Sequence, residues 1–161
     1  KDQARLRNRK SITYAQALCE LEQLRGAEAQ LVLAASGGSL VMRIARLLPT
    51  WPEKLAVFLE AYNKSPNRCE PLYEIGLHYY RMAMFSVGLV FALKAAILPY
   101  PHQDKLFVTE SYYRWQAWDL VACCANAEPA LALDAAMKAL AGNPSDERLQ
   151  RNVSNLQKLM S

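Results

Sequence analysis

The sequence predicts an all-α chain of consecutive helix pairs, and three observations carry that prediction. Apolar residues recur at helical spacing almost throughout the 161 residues. Sustained strand-type alternation is absent, and prolines with capping residues punctuate the chain at intervals of about one helix. The β-branched pair Val108 and Thr109 is too short to overturn this reading.

Taken in order, residues 3–25 and 27–35 have helical periodicity and are separated or bent near Gly26. Gly37-Gly38 breaks the chain before a helix over about 39–48. Thr50 followed by Glu53 forms a capping box, with Pro52 in the first turn, where a missing N–H costs nothing. That helix ends before Ser65-Pro66-Asn67. Pro71 fits only the first turn of the next, because an interior proline removes a hydrogen bond and clashes with the preceding turn. A helix from Cys69 to about Met82 follows. The helix begun near Phe85 ends at Leu98-Pro99-Tyr100-Pro101, and the one from about Glu128 is closed by Asn143-Pro144. Ser145 is the expected N-cap of a last helix reaching about Leu159, with Asp146 and Glu147 placing negative charge at the positive end of its dipole. About nine helices are expected in all.

Composition bounds what such a chain does. With 52% hydrophobic residues it has enough apolar surface for a core, and no Gly-, Ser- or charge-rich linker divides it. The expectation is one helical repeat domain over 1–161: N-terminal helices over 1–35, degenerate repeats over 36–144 and a capping helix over 145–161. The net charge of +4 resides in the first ten residues, and the remainder carries fourteen basic and fourteen acidic side chains. A basic helix start of that kind is a solvated end, and nucleic acid is not an expected partner. No apolar run approaches the roughly twenty residues of a membrane span. Cys19, Cys69, Cys123 and Cys124 have neither C-x-x-C spacing nor the pattern of a disulfide framework, so free thiols in the reducing cytoplasm are expected. A start at Lys1 instead of Met suggests a longer parent chain.

A repeat is superimposed on the helices. Phe58, Ala61 and Pro66 are followed thirty-four residues later by Ala92, Ala95 and the turn at Pro99 and Tyr100. Ala136, Ala139 and Pro144 come forty-four residues after that, and Gly88 and Ala132 add a small residue four positions before Ala92 and Ala136. Small residues let helix pairs approach closely, and the proline ends the second helix just beyond its last turn.

The thirty-four-residue period, with Leu72, Ile75, Gly76 and Tyr79 on the first helix of a pair, resembles the tetratricopeptide repeat. The resemblance implies a short α-solenoid of antiparallel helix pairs. Lys54 departs from it, standing where a small residue is expected. A narrower resemblance rests on Arg68-Cys69-Glu70-Pro71-Leu72-Tyr73-Glu74, Tyr79-Tyr80, Leu98-Pro99-Tyr100-Pro101, Asp104, Leu106-Phe107 and Tyr113-Arg114-Trp115. Over about residues 51–155 these look like the helical repeat region that follows a nucleotide-sugar glycosyltransferase domain (family 2 type) in many bacterial and viral proteins. In that family this region is not the catalytic part.

No set of residues assembles an expected catalytic site. There is no Asp-x-Asp for a nucleotide diphosphate, and Gly37-Gly38 lacks the later glycine and lysine of a phosphate loop. Ser36 and Ser39 have no His and Asp arranged around them. Glu70, Glu74 and His78 share a helix face at intervals of four, but a bound metal would need ligands from a second helix, and none is expected. His102 is expected to be exposed. Among the aromatics, Tyr79, Trp118 and Tyr112 are assigned to the core, while Tyr73, Tyr80, Tyr113 and Trp115 remain candidates for a groove.

The expected function is therefore a non-catalytic interaction or scaffolding module without cofactor. The first helices of the pairs would line a concave face offering Arg43, Arg46, Tyr73, Glu74, Tyr80, Arg81 and Arg114 to a protein, a peptide or an adjacent domain. The alternative is the accessory C-terminal region of a nucleotide-sugar glycosyltransferase whose catalytic domain lies outside this chain.

Overall fold

The fold, taken from a computed structural model, is described for Ala45, residues 48–103 and residues 108–161. These residues are all helical and turn, with six α-helices and no strand among them. They are α1 (Trp51–Lys64), α2 (Glu70–Arg81), α3 (Phe85–Ala96), α4 (Ala117–Cys124), α5 (Pro129–Gly142) and α6 (Glu147–Met160). A π-helical turn, Tyr112–Gln116, leads directly into α4. The expected helices at 3–25, 27–35 and 39–48, the break at Gly37-Gly38, and Cys19, Ser36, Ser39, Arg43, Arg46, Asp104, Leu106 and Phe107 lie outside the described residues.

Local chemistry sets most boundaries. Glu53 reaches back to the Thr50 backbone N–H at 3.2 Å and accepts from its hydroxyl at 2.7 Å, forming the expected capping box of α1. Ser65 closes that helix by donating to Ala61 at 3.0 Å, and Pro71 stands in the first turn of α2. Between α2 and α3 the Ala83 N–H donates to the Tyr80 carbonyl and the Met84 N–H to that of Tyr79, both at 2.9 Å. This is a Schellman closure with Ala83 in the left-handed position, φ 57°. Glycine would hold it without strain, and alanine costs about 1 kcal/mol there. One boundary residue differs from expectation. The N-cap of α6 is Asp146 and not Ser145: its carboxylate accepts from Arg148 N at 2.9 Å and Leu149 N at 3.2 Å.

Each helix packs on its neighbours in sequence, α2 also reaches α4, and the π turn lies against α3, α4 and α5. The main core is built largely of small side chains. Leu72 of α2, Ala92, Ala95 and Ala96 of α3, Leu120, Val121 and Cys124 of α4 and Ala135 of α5 meet there. A second cluster joins Ala45, Phe58 of α1 and Ile75 of α2 beneath Trp51, Leu55, Tyr79 and Phe91. All the small residues of the repeat pattern are buried: Ala61, Gly88, Ala92, Ala95, Ala132, Ala136 and Ala139.

The α2–α3 crossing is backbone on backbone. A Cβ placed on Gly76 would lie 3.2 Å from the Ala92 nitrogen and from the Gly88 oxygen, and one on Gly88 would lie 3.2 Å from the Gly76 oxygen. Only residues without reach fit between α2 and α3 there. Ala92 is 0% and Ala136 2% exposed, so Ala92→Leu and Ala136→Leu should each destabilise by about 1–3 kcal/mol through overpacking. Urea melts with parental midpoints would remove that reading.

Candidate functional site

Helix α2 positions most of the chemistry. Its first turn is tied down by a buried network: Arg68 donates through Nε to Glu70 Oε2 and through Nη2 to Oε1, both at 3.0 Å. The Tyr113 hydroxyl donates to Glu70 Oε2 at 2.8 Å and accepts from the Cys69 N–H at 3.1 Å, while Thr109 N donates to Oε1 at 3.2 Å. Arg68 and Glu70 are almost wholly buried. Such a pair is tolerated only with its remaining hydrogen-bonding capacity met. Among the described residues no buried side-chain polar atom lacks a partner. The network joins the start of α2 to the π turn some forty residues on.

One turn later Glu74 accepts from the Tyr112 hydroxyl at 2.9 Å, and His78 stacks flat on Trp51, ring centroids 3.4 Å apart and planes 6° from parallel. Burial first, then Lys54 and Arg81, hold the His78 pKa below its ordinary 6.5. The ring is therefore mostly neutral at pH 7. The helix face carrying Glu70, Glu74 and His78 is thus divided among a buried network, a tyrosine and a tryptophan. Among the described residues no three His, Cys, Asp or Glu side chains are placed to hold a metal ion.

Above this face lies an open cleft of about 280 Å³ between α1 and α2, lined by Trp51, Lys54, Phe58, Glu74, His78 and Arg81. Its floor is apolar and aromatic, with Tyr79 edge-on to Trp51 at 5.8 Å, and Lys54 and Arg81 stand among its walls. Helical spacing explains the convergence, because Glu74, His78 and Arg81 follow at i, i+4 and i+7 on one face.

Of the residues expected to line a groove, the structure brings Glu74 and Arg81 to this cleft. Tyr73 instead packs on Tyr112 at 4.0 Å beside the main core, where burial pushes its hydroxyl up to about 12. Tyr80 also packs against that core, beside Phe85. Arg114 stands on the π turn, donating to the Gly142 carbonyl at 3.2 Å and facing Glu110 at 3.5 Å. Tyr113 is held in the Glu70 network, and Trp115 is half-buried at the π turn. Tyr79, Trp118 and Tyr112 pack against the two core clusters, and His102 is exposed. Lys54, Trp51 and His78 were not singled out for the groove. The one sequence signal for Lys54 was its position where the repeat calls for a small side chain.

Fold and cleft together define an all-α protein of sequentially packed helices with a partly charged, aromatic-floored cleft at its α1–α2 side. Among the described residues no helix is long and apolar enough to cross a membrane. Compared with protein-family models and with curated proteins, the chain matches none.

Proposed function

We propose that this chain is a non-catalytic interaction module of tetratricopeptide-like helix pairs, whose α1–α2 cleft seats an acidic segment of a peptide or protein partner. The cleft is the observation that carries the reading. Lys54 and Arg81 supply charge and forked donors, Trp51 supplies rigid apolar area over the buried Phe58, and the Glu74 carboxylate is already engaged by Tyr112. Neighbour-on-neighbour helix packing with small residues at the crossings supports the solenoid reading, because it suits a curved stack that adds a similar strip with each pair. The free thiols Cys69, Cys123 and Cys124 suit a reducing compartment such as the cytoplasm.

Selection of random peptides on the immobilised protein should enrich Asp and Glu. Changing Lys54 and Arg81 together to Glu should weaken a selected peptide about tenfold or more, since each exposed pair contributes up to about 1 kcal/mol and reversal adds repulsion. Added salt should weaken binding to the parent in the same direction. Selected peptides without acidic residues, or affinities unmoved by the double reversal at an unchanged thermal midpoint, would refute the reading.

A further inference from the structure

The chain holds two histidines, His78 and His102. His78 lines the α1–α2 cleft, and the binding of an acidic segment as described above makes no use of it. Its ring lies flat on Trp51 of α1, and Tyr79 of α2 meets it edge-on at 5.5 Å. Among the described residues, the charged groups that share the cleft with it are Lys54 from α1 and Glu74 and Arg81 from α2. Glu74 accepts the Tyr112 hydroxyl at 2.9 Å, while the two cations stand where a partner's carboxylate would be received.

Burial, Lys54 and Arg81 each oppose a proton on His78. Trp51 does not, because an indole face attracts a cation lying over it, so the stack accommodates imidazolium as well as imidazole. The ring can therefore gain its charge in place. A carboxylate seated between Lys54 and Arg81 offsets both cations, and an opposite charge within about 4–6 Å favours the protonated form directly. The desolvation that a partner adds works the other way, but it is the smaller effect for a half-buried ring in an open cleft.

We propose that His78 is a proton-linked binding group for the acidic segment: it takes a proton from solvent as the segment is seated and becomes the third cation of the cleft, so that binding tightens between about pH 7.5 and about pH 5.5. This rests on the reading of the cleft as an acidic-segment site. The sign follows from linkage, since a complex that holds the proton better than the free protein gains affinity as pH falls through the titration of the ring. Partner Asp carboxylates, with an ordinary pKa of about 3.9, stay ionised over this range and do not reverse the trend. For folding without a partner the sign is opposite. The stability associated with the lowered His78 pKa is fully present above the ordinary 6.5 and is lost as pH falls through the folded value. An acidic partner offsets that loss.

The probe is an acetylated, amidated Gly/Ser nonapeptide with a central run of three Asp residues, and the same peptide with Asn in their place is the uncharged control. Titration calorimetry at about pH 7.5, 6.5 and 5.5, in pairs of buffers that differ in ionisation enthalpy, reads affinity and proton uptake together. In parallel, NMR follows the ring signals of both histidines with and without saturating peptide. His102, exposed in the turn after α3, is the internal reference.

The Asp peptide is expected to bind about threefold or more tightly at the lowest pH than at the highest, the scale of one added exposed ion pair, and to take up protons as it binds. It should also move the His78 titration upward by a matching amount, because the two effects are one coupling free energy, while His102 titrates as before. His78→Gln keeps a neutral, helix-favouring side chain and should abolish both the pH dependence and the proton uptake. Its thermal midpoint shows whether it folds, and the NMR titration of the unaltered protein stands without it. Equal affinity across the range, binding without proton uptake, a His78 titration unmoved by peptide, or a pH dependence that persists in a folded His78→Gln would overturn the inference. If the Asp peptide is still held in that case, and is lost on reversing Lys54 and Arg81, the proposed function stands while this inference fails. An Asp peptide that binds at no pH, or no better than its Asn control, overturns both.

Discussion

Glu70→Ala should destabilise the protein by about 3–5 kcal/mol, the cost of removing one partner from a buried ion pair. The carboxylate is 4% exposed and each of its oxygens accepts two hydrogen bonds: Arg68 and Thr109 on one, Arg68 and Tyr113 on the other. Alanine leaves the guanidinium without its carboxylate and the Tyr113 hydroxyl and Thr109 N–H without their acceptor, in a space too enclosed for free hydration. It also uncouples the start of α2 from the π turn, so the change should loosen both. Urea denaturation measures the loss, and hydrogen exchange at Cys69 and Thr109 should show both N–H groups opening. Replacing Arg68 and Glu70 together by Met should recover much of the loss, because neither charge then remains buried. A Glu70→Ala loss below about 1 kcal/mol, the range of an exposed pair, would show that the network does not fasten the two elements.

The second large effect is expected at Gly142, the last residue of α5. A Cβ there would sit 2.0 Å from the Arg114 carbonyl oxygen, 2.7 Å from its carbonyl carbon and 3.0 Å from the Trp115 Cβ. Two of these atoms are backbone and cannot rotate aside. The Arg114 carbonyl belongs to the π turn, in which Ala117 N reaches back to the Tyr112 oxygen, one residue further than in an α-helix. The widened turn brings its backbone against the end of α5, and glycine is the residue that leaves room. Gly142→Ala should cost about 3 kcal/mol, at the upper end of overpacking, because relief requires moving α5 away from the turn. It should also break the hydrogen bond from Arg114 to the Gly142 carbonyl. Thermal and urea melts test this, and because alanine favours a helix over glycine, any loss observed understates the clash. A variant within about 0.5 kcal/mol of the parent would show that the close approach does not hold in solution.

These two positions also show how sequence and structure divided the information. Gly142 was legible only as part of a helix end before Asn143-Pro144, and nothing in Tyr112–Gln116 marks a π turn, since its composition suits an ordinary helix equally well. In the sequence Glu70 is legible only as one of three side chains, with Glu74 and His78, at intervals of four on one helix face. Its burial depends on Tyr113 and Thr109, about forty residues away, and no spacing rule along one helix reports such a meeting. The Ser145 and Asp146 difference is of another kind. Either side chain can cap a helix, and the turn through Asn143 and Pro144 decides which one has the extended backbone; here it is Asp146, φ −79° and ψ 108°.

The cleft was half legible. Glu74 and Arg81 follow from α2 alone, because helical spacing places residues seven apart on one face. Their partners Trp51, Lys54 and Phe58 come from α1, and the crossing of the two helices determines which of its side chains face the opening. Tyr73 and Tyr80 lie only one residue from that face, yet the packing of α4 and the π turn against α2 draws them beside the core.

By itself the sequence determined the all-helical class, most helix ends and the small residues buried at the crossings. Each of these rests on interactions within a few residues or on a periodicity that persists along one helix. The tertiary structure alone decided the Arg68–Glu70–Tyr113 network, the π turn fitted to Gly142, and the meeting of α1 with α2 at the cleft. Those features depend on how one helix approaches another, and that approach is set by the sum of many small contacts across the core, not by any local pattern of residues.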